Sequence, residues 1–135
     1  MASSVEDYLE ISQLKHEYCY LIDDHEYDAW VSLYTEDGSF GRAGDDRAEG
    51  VEGLQYFANQ IFDEMYEQTA HLLMNPVINV AGDEATGRWY VLLMYTDSEG
   101  EQRWMQGRYE DEFERVDGEW KLSAATVVPL ASGSL

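Results

Sequence analysis

Apolar residues between positions 11 and 34 recur with helical spacing. Ile11, Leu14, Tyr18, Leu21 and Ile22 fall at i, i+3, i+7, i+10 and i+11, forming one stripe on a helix that brings Asp23 up at its far end. After a polar break, DDHE at 23–26, the residues Ala29, Trp30, Leu33 and Tyr34 resume the spacing and predict a second short helix folding back on the first. Ser3, Ser4, Glu6 and Asp7 supply both an S-x-x-E and an S-x-x-D, either of which caps the first helix. TEDG at 35–38 is a turn signal, 39–43 a short strand, and GDDRAEG at 44–50 an exposed loop. Val51, Leu54, Phe57, Ala58, Ile61, Phe62 and Met65 then predict a third helix.

From His71 the period changes. HLLMNPVINV, TGRWYVLLMYT, RWMQGRYEDEFER and EWKLSAATVV are rich in branched and aromatic residues, and the compact turns AGDE, DSEGE and VDGE separate them. Four such strands in succession predict an antiparallel meander, with Pro76 and Pro129 at bulges, edges or strand ends because neither donates to a ladder. Helices first and sheet second give an α+β fold in which a curved antiparallel sheet wraps the N-terminal helices, with Gly107 marking a sharp bend. The chain reads as a single domain over 1–135, with a small polar tail at about 131–135.

Composition narrows the function. A formal charge of -20, from 28 Asp plus Glu against 8 Lys plus Arg, repels phosphate backbones, so no nucleic-acid partner is expected. The acidic residues are interleaved with apolar ones along the whole chain, which describes a folded protein with an acidic surface rather than an acidic tail. No stretch reads as a membrane span or a signal peptide, so the expected compartment is cytoplasmic, and a salt-rich cytoplasm suits this charge. Cys19 excludes an internal disulfide and reads as a small core residue.

The residues able to do chemistry are few. His71 stands at the start of a strand, with Asn75 four residues on and on the same face. A carboxylate that holds an imidazole fixes its tautomer and stabilises the imidazolium, which makes Asp23 the natural partner of His71. Read alone, Asp23 is equally a solvated turn residue and His71 a satisfied core or edge residue. His16 and His25 read as solvated. The cluster of Asp23, Asp24, His25 and Glu26 has no calcium-loop pattern, and neither a metal nor a cofactor is expected. Tyr18, Trp30, Tyr34, Trp89, Trp104, Met105 and Tyr109 read both as core and as the wall of a hydrophobic pocket. Asp111 and Arg115 lie on one strand face with Tyr109 and Phe113 and read as a buried or rim ion pair.

The order of these segments resembles the SnoaL-like branch of the nuclear transport factor 2-like superfamily. The resemblance runs from residue 11 to about 126, through ISQLKHEYCYLIDDHEYDAWVSLYTEDGSF, the helix start at Gly50 to Gly53, HLLMNPVINVAGDEATG and GRYEDEFERVDGEWKLS. It implies a cone whose sheet wraps a hydrophobic pocket. The motif pattern is most similar to scytalone dehydratase and hexachlorocyclohexane dehydrochlorinase, which pair an Asp at the end of the first helix with a His at the start of a strand. Asp23 and His71 occupy those positions. The resemblance therefore implies a lyase or isomerase acting on a small hydrophobic hydroxylated or carbonyl compound. In it His71 is the general base, Asp23 its orienting partner, Tyr18 a donor, and Asn75, Trp30, Tyr34, Trp104 and Tyr109 substrate contacts. The chain departs from the dehydrochlorinase in carrying Tyr18 where that enzyme has a lysine, and from scytalone dehydratase in having no histidine after His71. Steroid delta-isomerase has a tyrosine matching Tyr18, but its base aligns with about Arg42. The alternative in the same fold is a non-catalytic carrier or an assembly subunit, like the small subunit of ring-hydroxylating dioxygenases.

Two further expectations concern the surface. The strand at 86–96 is apolar on both alternating faces, so a homodimer or higher homo-oligomer through the sheet is expected. Repulsion among 28 acidic groups opposes the compact state at low ionic strength and fades as the Debye length falls from roughly 30 Å at 0.01 M to about 3 Å at 1 M salt. The melting temperature should rise steeply with potassium chloride over that range. A flat or falling curve would exclude adaptation to salt.

Overall fold

The computed structural model describes residues 4–135. Helix α1 (Val5–Asp23) starts at a capping box: the Ser4 hydroxyl accepts from the Asp7 N–H at 3.1 Å, and the Ser4 N–H donates to the Asp7 carboxylate at 3.5 Å. The alternative cap at Ser3 lies outside the described residues. The helix ends in a Schellman motif, in which the N–H of Glu26 reaches the carbonyl of Leu21 and that of His25 the carbonyl of Ile22. His25 takes the left-handed conformation that this motif requires, with φ of 60°. The buried face of α1 is Ile11, Lys15, Tyr18, Cys19 and Ile22, whereas Leu14 and Leu21 are only half-buried at its margins. A lysine, Lys15, occupies a core position of the stripe.

Helix α2 (Tyr27–Ser32) leads into strand β1 (Tyr34–Arg42), which is longer than the expected strand at 39–43. The TEDG segment lies inside β1, at the irregular register between Tyr34 and Ser39. Strand β2 (Ala48–Glu49) is followed by α3 (Gly50–Tyr56), a π-helical stretch Phe57–Phe62, and α4 (Asp63–Met65) as one continuous helical segment. Its buried residues are Leu54, Ala58 and Phe62, every fourth position, because the wider π turn shifts the face that meets the core. Val51, Ile61 and Met65, expected on the buried stripe, are exposed.

Strands β3 (Tyr66–Ala81), β4 (Glu84–Asp97), β5 (Gln102–Val116) and β6 (Glu119–Ser134) form the antiparallel meander. The six-stranded curved sheet has the order β2-β1-β6-β5-β4-β3, and its one parallel pair is β1 with β6. Pro76 lies in the bulge between Met74 and Val77, and Pro129 faces Gly107 at another. A Cβ on Gly107 would stand 2.6 Å from the Val128 carbonyl oxygen, so only glycine allows the strands this approach. Residues 131–134 are no loose tail, because they extend β6 along β5 as far as the pairing of Ser134 with Arg103. The helices cover one sheet face, where Trp89, Val91, Tyr109, Phe113 and Leu122 are buried. The other face leaves Leu72, Met74 and Tyr90 exposed. Among the described residues no helix is long and apolar enough to cross a membrane.

Asp7 ties the start of α1 to the sheet. Its carboxylate accepts from Arg115 at 2.9 Å and from the Trp120 indole N–H at 3.1 Å. Arg115 also bonds Asp83 at 3.0 Å, so it sits in a rim network. The Arg115 guanidinium beside Asp7, helped by the indole, pulls the carboxyl down to about 2. Because the folded value lies below the unfolded one, this contribution to stability is complete above the ordinary aspartate range and is lost as pH falls toward about 2. Asp7→Asn should therefore flatten the acid limb of the stability curve over that interval, as measured by urea unfolding at stepped pH.

Candidate active site

The Schellman turn leaves Asp23 in the last turn of α1, aimed at the start of β3. Its Oδ1 accepts from the Thr69 hydroxyl at 2.7 Å and lies 2.6 Å from Nδ1 of His71, while Oδ2 accepts from the His71 backbone N–H at 2.9 Å. A carboxylate offers no proton, so the neutral form of the His71 ring has its proton on Nδ1 and its lone pair on Nε2. The side chains of His71 and Asp23 are 8% and 16% exposed, which shelters the pair while leaving an opening for the imidazole.

That opening is a cavity of about 510 Å³, within the range of small-molecule sites. His71 is on its wall, with Phe40, Phe57, Phe62, Tyr66, Leu93 and Met105 supplying apolar surface. Phe62 lies nearly parallel to the His71 ring, with centroids 6.4 Å apart. Tyr56, Tyr66 and Tyr109 are the tyrosines on the wall. Tyr18 does not line the cavity; its ring meets Tyr109 edge-on, with centroids 5.7 Å apart. Burial holds the phenols of Tyr18, Tyr34 and Tyr109 well above the ordinary tyrosine range, so all three remain protonated.

Several expected ligand contacts lie elsewhere. Trp30 and Tyr34 stand behind the wall, with Trp30 packed against the wall residues Phe40 and Phe57. Trp104 is turned away, because it is five residues from Tyr109 and strand alternation puts the two on opposite faces. Asn75 is exposed in a left-handed conformation beside the β3 bulge, with φ of 60°, and does not line the cavity. Cys19 is buried, and burial pushes its thiol up to about 12. His25 remains largely exposed, 3.6 Å from Asp63. Among the described residues no group of three or more potential metal ligands comes together.

Asp111, expected in an ion pair with Arg115, meets Lys15 instead, while Arg115 is held by Asp7 and Asp83. Lys15 and Asp111 are fully buried and meet at 2.9 Å, a contact that falls short of hydrogen-bond alignment. The ammonium also sits 3.5 Å from the ring centre of Tyr18 and 3.6 Å from that of Tyr109, so two π faces supply part of its solvation. Burial pulls the Lys15 value down and the Asp111 value up, against the mutual attraction of the pair. Lys15 is detectable in retrospect as the residue four after Ile11 and three before Tyr18. Arg47, on the cavity wall, is hidden in the polar run GDDRAEG.

A curved α+β cone with an apolar cavity and a carboxylate-held histidine on its wall places the protein among the nuclear transport factor 2-like folds. Within that class the chain belongs to the SnoaL-like domain family, whose model matches residues 3–126. It is 31% identical over 104 residues to hexachlorocyclohexane dehydrochlorinase 1 of Sphingobium indicum, an alignment covering 76% of this chain and 68% of that protein. The crystal structure of a proposed aromatic ring hydroxylase from Novosphingobium aromaticivorans superposes with a TM-score of 0.89 at 28% identity, covering 98% of this chain and 96% of the other. A proposed scytalone dehydratase from the same organism superposes with a TM-score of 0.87 at 22% identity, over 97% and 89% of the two chains, and shares the fold.

The buried pair yields a direct test. Lys15→Met leaves Asp111 without its cation and should cost about 3–5 kcal/mol in urea unfolding. Lys15→Met with Asp111→Leu should recover most of that loss. A double variant no more stable than the single one would show that the pair is not what balances the two charges.

Proposed function

We propose that the protein is a cofactor-independent lyase of the dehydratase type, or an isomerase, acting on a small hydrophobic cyclic compound that carries a carbonyl or hydroxyl group. Kinship with a dehydrochlorinase supports a lyase-like role at the level of the family. The observation that carries the finer reading is the 2.6 Å contact of Asp23 with His71, on the wall of an apolar cavity.

In a dehydration, Nε2 of His71 takes the proton on the carbon next to the carbonyl. Those C–H electrons form the new C=C bond as the C–O bond breaks, and the imidazolium returns its proton to the departing hydroxyl, which leaves as water. Asp23 acts as a positioning residue, stabilising the imidazolium through Nδ1. Tyr109, one of the tyrosines on the wall, takes the role of donor to the carbonyl oxygen, with Tyr18 supporting its ring. An isomerisation shares the proton removal and differs in where the proton returns. An open cavity favours these readings over an assembly subunit, for which a filled interior is expected, and the Asp23–His71 contact at its wall favours them over a carrier.

Screening cyclic β-hydroxyketones by the ultraviolet absorbance of the enone product tests the proposal. His71→Asn should lower kcat/KM by about 100- to 10,000-fold without loss of fold. A variant as active as the parent on a discovered substrate would remove His71 from the chemistry.

We also propose that the chain forms a homo-oligomer through the uncovered sheet face, most simply a two-fold dimer. Leu72, Met74 and Tyr90 on that face are 45%, 40% and 44% exposed. Light scattering in high salt should give a mass of at least two chains, and a single-chain mass would refute this assembly.

A further inference from the structure

We propose that Arg47 is an anion anchor and that the cavity takes a small aromatic or alicyclic monocarboxylate, with its oxygen on the guanidinium. The inference rests on the cavity being the ligand site of the proposed reaction, and not on His71 acting as a base.

Arg47 donates from Nε to the Ser39 hydroxyl at 3.0 Å, from Nη1 to the Thr126 hydroxyl at 3.0 Å, and from Nη2 to the carbonyls of Ala125 at 2.8 Å and Ser39 at 3.4 Å. These donations hold the side chain against β1 and β6. All four acceptors are neutral, and one N–H of Nη1 is left over. Gly41 makes room for the arrangement, since a Cβ there would stand 2.9 Å from Cγ of Arg47 and 3.1 Å from its Nη1.

The charge of Arg47 is thus fixed in place, and the nearest buried carboxylate that attracts it, Asp111, is already paired with Lys15. Among the described residues Arg42, Arg103, Arg108 and Arg115 all sit in ion pairs, and Arg88 is exposed to solvent. Arg47 is half-buried and in no such pair, in a chain with 28 carboxylates to choose from. An anionic ligand would complete the pair at an apolar wall, where water screens the attraction less than at the surface. Asp45, Asp46 and Glu49 also line the cavity, but they are exposed, and Asp45 lies 4.0 Å from Arg42. Water and salt weaken their repulsion of an incoming anion.

The sheet order gives the anchor its use. Arg47 immediately precedes β2 at one edge of the sheet and His71 lies on β3 at the other, yet both line the same cavity. A ligand held by its carboxylate at Arg47 therefore extends an apolar body toward the imidazole.

Titration calorimetry of the full chain with 1-naphthoate and the neutral 1-naphthamide tests the inference. The parent protein should bind the acid at least about tenfold more tightly than the amide, the usual scale of a charge-assisted contact. Arg47→Gln should bring that ratio close to one. Because Arg47→Gln also removes bonds to β1 and β6, Gly41→Ala serves as the second variant: it keeps the charge but displaces the side chain, and should reduce the ratio. His71→Asn should leave the ratio intact even where it abolishes turnover, which separates failure of the anchor from failure of the proposed chemistry. A parent that binds neither probe or binds both alike would overturn the proposal, as would a preference that survives in Arg47→Gln and Gly41→Ala or disappears in His71→Asn.

Discussion

The ion pair of Lys15 and Asp111 is the constraint around which the interior is arranged. Two full charges without water demand one another, and each must be brought to the other by its own element, α1 for the lysine and β5 for the aspartate. Their meeting sets the rotation of α1 against the sheet. Asp23 lies eight residues farther on, roughly 12 Å along the axis and about 80° around it, so the pair that fixes the rotation of α1 also fixes the direction of Asp23 toward β3. The rings of Tyr18 and Tyr109 complete the surroundings of the ammonium, and Tyr109 continues outward to the cavity wall. Core charge and candidate site are thus joined by one tyrosine.

Asp23 shows how the site is held from the other side. Its carboxylate takes a hydroxyl, a backbone N–H and an imidazole, all from residues 69–71, so it positions the strand as well as the ring. A histidine tied at both its backbone and its Nδ1 loses little freedom to a ligand, which is the condition for a base to act without reorganising. The aromatic wall does the complementary work of excluding water.

Much of this was legible in the chain. The bulges at Pro76 and Pro129 and the bend at Gly107 follow from local steric rules and appear where those rules put them, whereas the change from helical spacing to strand, expected at His71, comes at Tyr66. Asp23 and His71 were selected by chemistry and order, but their distance from one another is a product of packing that no spacing encodes. Lys15 was missed because a lysine on an apolar stripe reads as an interruption unless its partner is known, and Asp111 is 96 positions away. Trp104 was assigned to the cavity on composition, although parity along β5 turns it to the opposite face from Tyr109. Arg47 stood among aspartates in a polar run, where its neighbours in sequence suggested solvent; its neighbours in space are Ser39, Ala125 and Thr126.

The π-helical stretch Phe57–Phe62 bears on how such a cavity can arise. An α-helix that gains one residue without widening carries every side chain beyond it about 100° around the axis, whereas a π turn absorbs the extra residue and keeps those side chains on their face. Here Ile61 and Phe62 within that stretch and Met65 just beyond it line the cavity. A segment that tolerates a wide turn can thus gain or lose a codon within it while the sheet and the residues beyond the turn stay in place, a route by which one scaffold can vary a single stretch of its cavity wall in one genetic step.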